Sequence, residues 1–94
     1  MFKDLDPILN SQLRLAIMSL LISLKEADFN YIKEQTDSTS GNLSVQLQKL
    51  KDAGYITVIK SFKHNYSNTT CAVTAKGIDA FENYINALRS YLPR

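Results

Sequence analysis

The sequence predicts a mainly α-helical domain that carries one β-hairpin. Two short helical patterns, separated by a tight polar turn, fill the stretch from Asp28 to Ile56. The period then changes from helical to alternating near Tyr55. A long helical pattern with an apolar seam closes the chain, from Ala75 to about Leu92.

Composition limits what such a chain can be. Ninety-four residues make one domain, 1–94, since two independent cores would be too small to stand alone. A 45% hydrophobic content with two Pro and three Gly fits a globular chain rather than a disordered one. The single Cys71 excludes an intrachain disulfide and a cysteine metal cluster, which fits a reducing compartment. No basic-plus-apolar leader precedes a cleavage site. The run Leu13 to Leu24 contains Arg14 and two Ser and is too short to span a bilayer. The expectation is a soluble cytoplasmic protein with no membrane partner. Its net charge of +2 is unevenly spread: residues 1–48 carry −2 and residues 49–76 carry +4. Positive charge collects where an anionic partner would be met.

In chain order, Met1 to Asn10 is a lead-in, with Asp6-Pro7 shaped like a helix start. Helix 1 is expected over Ser11 to Leu24. Leu13, Ala16, Ile17, Leu20, Leu21 and Leu24 give it more than one apolar stripe, so it should be buried on several sides. Lys25-Glu26-Ala27 reads as a connection. Asp28 is a good N-cap for helix 2, Phe29 to Thr36, with Phe29 and Ile32 facing the core. Asp37 and Ser38 form the turn. Helix 3 spans Thr39 to Ala53, capped by the Thr39 hydroxyl, striped by Leu43, Leu47 and Leu50, and ended by Gly54 in a left-handed C′ position. Helix, turn and helix make a helix-turn-helix over 28–54.

Tyr55 to Phe62 alternates as a strand, Lys63 to Asn68 is a polar tip, and Thr69 to Thr74 returns as a second strand. This hairpin, 55–74, is a wing beside the helix-turn-helix. The fold is therefore a winged helix-turn-helix with an additional C-terminal dimerisation helix, 75–92. On that helix Ile78, Phe81, Ile85, Leu88 and Leu92 are spaced 3, 4, 3 and 4. A second line of Ala80, Tyr84, Ala87 and Tyr91 runs beside it. Pairing with the same helix of a second subunit would bury both lines. The alternative is packing back onto helix 1. The expected dimer interface is Ile78, Phe81, Tyr84, Ile85, Leu88 and Leu92.

The face of helix 3 opposite its leucines carries Gly41, Asn42, Val45, Gln48, Lys49 and Asp52, with Ser44 at its edge. Short donors and one Val near a helix N-terminus suit base edges and phosphates. The alternative is a merely solvated face. Catalytic chemistry has little to stand on. His64 is the only histidine and sits in the hairpin tip, where it is exposed or contacts a phosphate or minor groove. Cys71 reads as a small core residue, with an exposed low-pKa thiol as the alternative. There is no Gly-rich phosphate loop, metal spacing or nucleophile motif, so neither an enzyme nor a cofactor is expected.

The segments SGNLSVQLQKLKDAGYITV and TTCAVTAKGIDAFENYINAL carry a family resemblance. The chain resembles the small one-domain branch of the MarR-like winged-helix transcriptional regulators from about Leu5 to Leu92. The resemblance implies a homodimeric regulator of double-stranded DNA, with its recognition helix in the major groove and its wing on the minor groove or backbone. Carried over by position, the groove-facing set is Thr39, Ser40, Asn42, Ser44, Val45, Gln48 and Lys49, with Lys60, Lys63 and His64 added for the wing. Relatives often carry a Gly-Arg-x-Pro-Arg-like wing tip, whereas this one has no arginine, which favours backbone contact over groove insertion. They also commonly place Leu-Gly-Leu at the bend, where this chain has the more polar Thr36-Asp37-Ser38. A winged-helix protein-interaction module without DNA binding is the competing expectation. A dimer groove between helix 1 and the last helix is the place for a small-molecule effector, but the Leu and Ile there read more simply as core, and nothing in the sequence indicates one.

Overall fold

The computed structural model describes residues 1–63 and 66–93, without the side chain of Lys63. The elements are α1 (Gln12–Leu24), β1 (Glu26–Asp28), α2 (Phe29–Thr36), α3 (Ser40–Asp52), β2 (Ile56–Lys63), β3 (Tyr66–Val73) and α4 (Ala75–Arg89). The strands form one antiparallel sheet in the order β1-β3-β2. This is the winged helix-turn-helix expected from the sequence.

Local chemistry sets most boundaries. Ser11, Asp28, Thr39 and Thr74 each cap a helix by accepting a backbone N–H three residues on. At the other end of α3, Gly54 takes φ 81°. Its N–H donates to Lys51 O at 2.9 Å, and Tyr55 N donates to Leu50 O at 3.0 Å. These two bonds make a Schellman closure, which satisfies carbonyls the helix would leave open. The polar bend is fastened locally. Thr36 Oγ1 donates to Ile32 O at 2.7 Å and lies 2.9 Å from Ser38 Oγ, while Asp37 turns through φ 50°.

Three expectations need correction. Lys25-Glu26-Ala27 is not simply a connection. Lys25 turns the chain with φ 73°, and Glu26 to Asp28 then pair with Ala72, Cys71 and Thr70. Three residues with one apolar member carry no legible period, so β1 exists only because β3 offers an edge. The hairpin is also longer than predicted, because β3 begins at Tyr66 rather than Thr69. Finally, α4 ends at Arg89, where Ser90 caps it, so Tyr91 and Leu92 lie beyond the helix. His64 lies outside the described residues.

The core collects from every layer. Leu9, Ile17, Met18, Leu21, Ile32, Leu43, Leu50 and Cys71 are fully buried, with Leu47, Ile56 and Tyr84 nearly so. All three leucines of the α3 stripe therefore face inward, which fixes the opposite face outward. The N-terminal segment is strapped across α4 by Lys3 N donating to Ser90 Oγ and Tyr91 Oη donating to Lys3 O. Phe2 stacks on Tyr91 with ring centroids 5.0 Å apart.

α4 meets the start of the wing at its first turn. Thr74 Oγ1 accepts from Gly77 N at 3.0 Å and donates to Gly54 O at 2.7 Å. Thr74 N donates to Tyr55 O at 3.0 Å. A Cβ on Gly77 would stand 2.2 Å from that same Tyr55 oxygen. Only glycine lets the helix come so close to the strand entry.

Candidate nucleic-acid interface

The helix-turn-helix presents one continuous polar face. Thr39, Ser40, Gly41, Asn42, Ser44, Val45, Gln48 and Lys49 are all exposed along α3. Val45 is 52% exposed and belongs neither to the core nor to the apolar residues packed against it. An isolated exposed Val is ordinary, yet here it stands between Asn42 and Lys49 on the only face α3 turns outward.

The amides on this face are already engaged along the helix. Gln46 Nε2 donates to Asn42 Oδ1 at 3.0 Å, and Gln48 Nε2 donates to Asp52 Oδ1 at 2.8 Å. Both are i,i+4 pairs, each stabilising the helix surface by about 0.2–0.5 kcal/mol. Lys49 and Lys51 lie in the last turn of α3, where the helix dipole favours positive charge. Their presence there has a structural benefit as well as any use toward a ligand.

The wing completes a cleft beside this face. Strand alternation puts Ile56 and Val58 toward the core and Lys60 on the same side, further out. Lys60 pairs directly with Thr69 across the hairpin, and Val58 pairs with Cys71. Ser44 and Gln48 on α3 face Lys60 and Thr69 across an open cleft of about 300 Å³, with Phe29 and Val58 among its walls. One cation, two hydroxyls and an amide thus surround a space bounded on its inner side by carbon. That set can hold an anionic oxygen group, because each polar member can donate.

The structure brings together most of the residues named from the sequence. Thr39 to Lys49 share the α3 face, and Ser44 and Gln48 meet Lys60. Lys63 is described only as the end of β2, and His64 is outside the described residues. Thr69 was missed. Its position opposite Lys60 depends on the hairpin register, which a tip of misjudged length concealed.

The α4 residues divide. Ile78, Phe81 and Ile85 are half-buried, and Leu88 and Leu92 are exposed. Tyr84 is 6% exposed within its own chain, and its hydroxyl donates to Asn10 Oδ1 at 3.0 Å. It has almost no surface left to offer a partner. A hollow of about 350 Å³, lined by Phe81, Glu82, Ile85, Asn86 and Arg89, opens on the outer flank of the helix.

Two ionisable groups are perturbed. Burial pushes the Cys71 thiol up to about 11, the opposite of what a reactive thiolate needs. Burial, then the hydrogen bond to the Asp6 carboxylate, push the Tyr55 hydroxyl up to about 12. Both groups hold their proton more tightly when folded, so each adds stability below its unfolded pKa and loses it as pH rises through the folded value. The contribution of these two groups should therefore be lost from about pH 9 toward pH 12, as denaturant titrations at stepped pH would show. Tyr55→Phe should flatten the upper part of that fall. Cys71 should react with a thiol reagent no faster than the protein unfolds.

Among the described residues, no cluster of three His, Cys, Asp or Glu could hold a metal ion. Among the described residues, no helix is long and apolar enough to cross a membrane.

With this geometry in view, similarity to known proteins is informative. Residues 13–92 match the winged helix DNA-binding domain family. An uncharacterized protein of Methanocaldococcus jannaschii is 41% identical over 78 residues, 83% of this chain and 85% of that protein. The structure of a transcriptional regulator homologue from Pyrococcus horikoshii superposes with a TM-score of 0.81 at 26% identity, covering 88% of this chain and 82% of that one. The regulator AbfR, solved bound to DNA, gives a TM-score of 0.73 at 20% identity over 89% of this chain. This chain spans only 58% of AbfR, and at that identity the likeness is one of fold. The match over residues 13–92 and the geometry of the helix-turn-helix and wing converge: the chain belongs to the winged-helix DNA-binding domain family, with the fold of the MarR-like winged-helix regulators.

Proposed function

We propose that the protein is a homodimeric DNA-binding transcriptional regulator, with α3 in the major groove and the wing against the adjoining backbone or minor groove. The observation that carries this reading is the cleft between α3 and the wing. With α3 in a groove, a sugar-phosphate strand runs between the helix and the wing, where Ser44, Lys60 and Thr69 stand. Ser40, Lys49 and Lys63 add phosphate contacts, and Thr39, Asn42, Val45 and Gln48 meet base edges. Val45 suits a thymine methyl. His64 would extend the wing contact. AbfR, of the same fold, has been solved on DNA.

Dimerisation through α4 supports a symmetric site. Phe81 and Ile85 border the open hollow on its flank, and Leu88 is 39% and Leu92 67% exposed. Ile78 continues the line toward the helix start. A two-fold axis there would present two α3 helices to half-sites about 34–36 Å apart. Tyr84 serves the fold of each protomer rather than the interface.

Selecting bound fragments from a genomic library tests the proposal and returns the site. The expected outcome is a pseudo-palindrome with half-sites about one helical turn apart. Recovery of no sequence above background would refute it. Lys60→Ala should weaken binding to every sequence alike, by about fivefold at moderate salt, and reduce the salt slope by about one per protomer; polarisation titrations at several salt concentrations measure both.

One observation favours a second reading. Ile59, Phe62 and Tyr66 on the wing are 61%, 76% and 76% exposed. Such side chains suit a protein partner as well as a groove. A folded dimer with no salt-dependent DNA binding would favour that protein-interaction role.

A further inference from the structure

We infer that Arg14 and Gln46 fix which way the Asn42 amide faces, and so set the kind of base edge it reads. The inference rests on the DNA-binding reading above. It starts from the hydrogen-bonding capacity of arginine. A guanidinium has five donors and no acceptor. Arg14 on α1 spends its donors on fixed points: Nε donates to Ile8 O at 2.6 Å and Nη2 to Pro7 O at 3.4 Å. Its Nη1 donates to Gln46 Oε1 on α3.

That last bond removes a freedom amides ordinarily have. The oxygen and nitrogen of a side-chain amide look alike and can exchange places. Beside a donor-only guanidinium, Gln46 must present its oxygen to Arg14. Its Nε2 then points along the helix and donates to Asn42 Oδ1 at 3.0 Å. Asn42 must in turn present its oxygen to Gln46. The two N–H donors of Asn42 Nδ2 are left on the exposed face, next to the helix N-terminus. Only the arginine makes each step of this chain directional.

The consequence is chemical. An asparagine pairing with adenine in bidentate fashion accepts from N6 and donates to N7. Here the accepting oxygen is turned to Gln46, and the outward group donates. Asn42 is thereby matched to edges that only accept: guanine through O6 and N7, or thymine through O4. Arg14 and Gln46 are positioning residues, since neither touches the base. The anchor on Pro7 and Ile8 also ties the readout to the N-terminal strap.

Base preference, rather than affinity, tests this. Competition binding would use duplexes differing at the one base pair where Asn42→Ala flattens the preference. Thermal melts would confirm that each variant is folded. The wild-type protein should favour guanine or thymine there over adenine and cytosine by about tenfold. Gln46→Glu can still accept from Arg14 but cannot donate, so Asn42 turns its nitrogen inward and its oxygen outward. The preference should then move to adenine or cytosine, whose edges offer N–H donors. The added negative charge lowers affinity for all four duplexes and cancels in the ratio. Gln46→Leu removes the chain altogether and should flatten the preference to within about twofold. Unchanged ratios in both folded variants would overturn the inference while leaving DNA binding intact. So would an Asn42→Ala protein with the wild-type preference at every position. A wild-type protein with no sequence preference at all would remove the DNA-binding reading, and the inference with it.

Discussion

Gly77→Ala should lower stability by about 3 kcal/mol, the upper end of what overpacking costs, and lower the melting temperature by roughly 15 °C. The added Cβ would sit 2.2 Å from Tyr55 O and 3.0 Å from Met18 Cε. Met18 can shift, because its side chain is flexible. Tyr55 O cannot shift cheaply, because it accepts from Thr74 N. Moving α4 outward would instead stretch the bond from Thr74 Oγ1 to Gly54 O and loosen Tyr84 from Asn10. Thermal unfolding followed by circular dichroism checks the size of the effect. Gly41→Ala is the matched control, since a Cβ there meets nothing within 4 Å and alanine favours helix. It should be neutral or mildly stabilising.

Ser44→Asp should weaken DNA binding by at least a hundredfold while leaving the melting temperature within about 2 °C. Ser44 is exposed on α3 and lines the cleft with Lys60 and Thr69. A carboxylate there would face the phosphate strand proposed to lie in the cleft, and like charges brought together at an interface cost several kcal/mol. Ser44→Ala, which removes a donor without adding charge, should cost roughly threefold to tenfold. Polarisation titrations of both variants on one duplex separate the two effects. Similar, small losses in both would mean that no phosphate approaches Ser44.

The helical part of the fold was legible wherever a boundary had a local chemical cause. Thr39, Asp28 and Thr74 are caps within reach of their own helix, and Gly54 supplies a left-handed turn without the steric cost a Cβ would bring. The leucine stripe of α3 needed only the 3.6-residue period to reveal which face is buried. What was not legible depends on partners distant in sequence. β1 pairs with residues more than forty positions away, and its three side chains carry no pattern. Thr69 joins the cleft only through the β2–β3 register. Tyr84 lay on an apolar line expected to face a second subunit; Asn10, seventy-four positions earlier, accepts its hydroxyl and holds it in the core instead. The glycine at 77 carried part of the family resemblance, but its physical reason, the closeness of Tyr55 O, needed coordinates.

The same distinction separates the residues of the candidate interface. The exposed face of α3 follows from periodicity, whereas the orientation of Asn42 follows from Arg14, twenty-eight positions before it on another helix. If α3 reads DNA as proposed, residue identity on it underdetermines what is read. Second partners decide which atom of an amide is offered outward.

The most direct measurement is the affinity of the full chain for a selected genomic duplex across a range of salt concentrations. In the proposed dimer, Lys49, Lys60 and Lys63 of each protomer would make about six phosphate contacts, which predicts a slope of log affinity against log salt near −5. A mutated duplex should show a similar slope at lower affinity, because phosphate contacts carry no sequence information. Affinity independent of salt, or equal for the selected and mutated duplexes at every salt concentration, would contradict a sequence-specific regulator built on α3 and the wing.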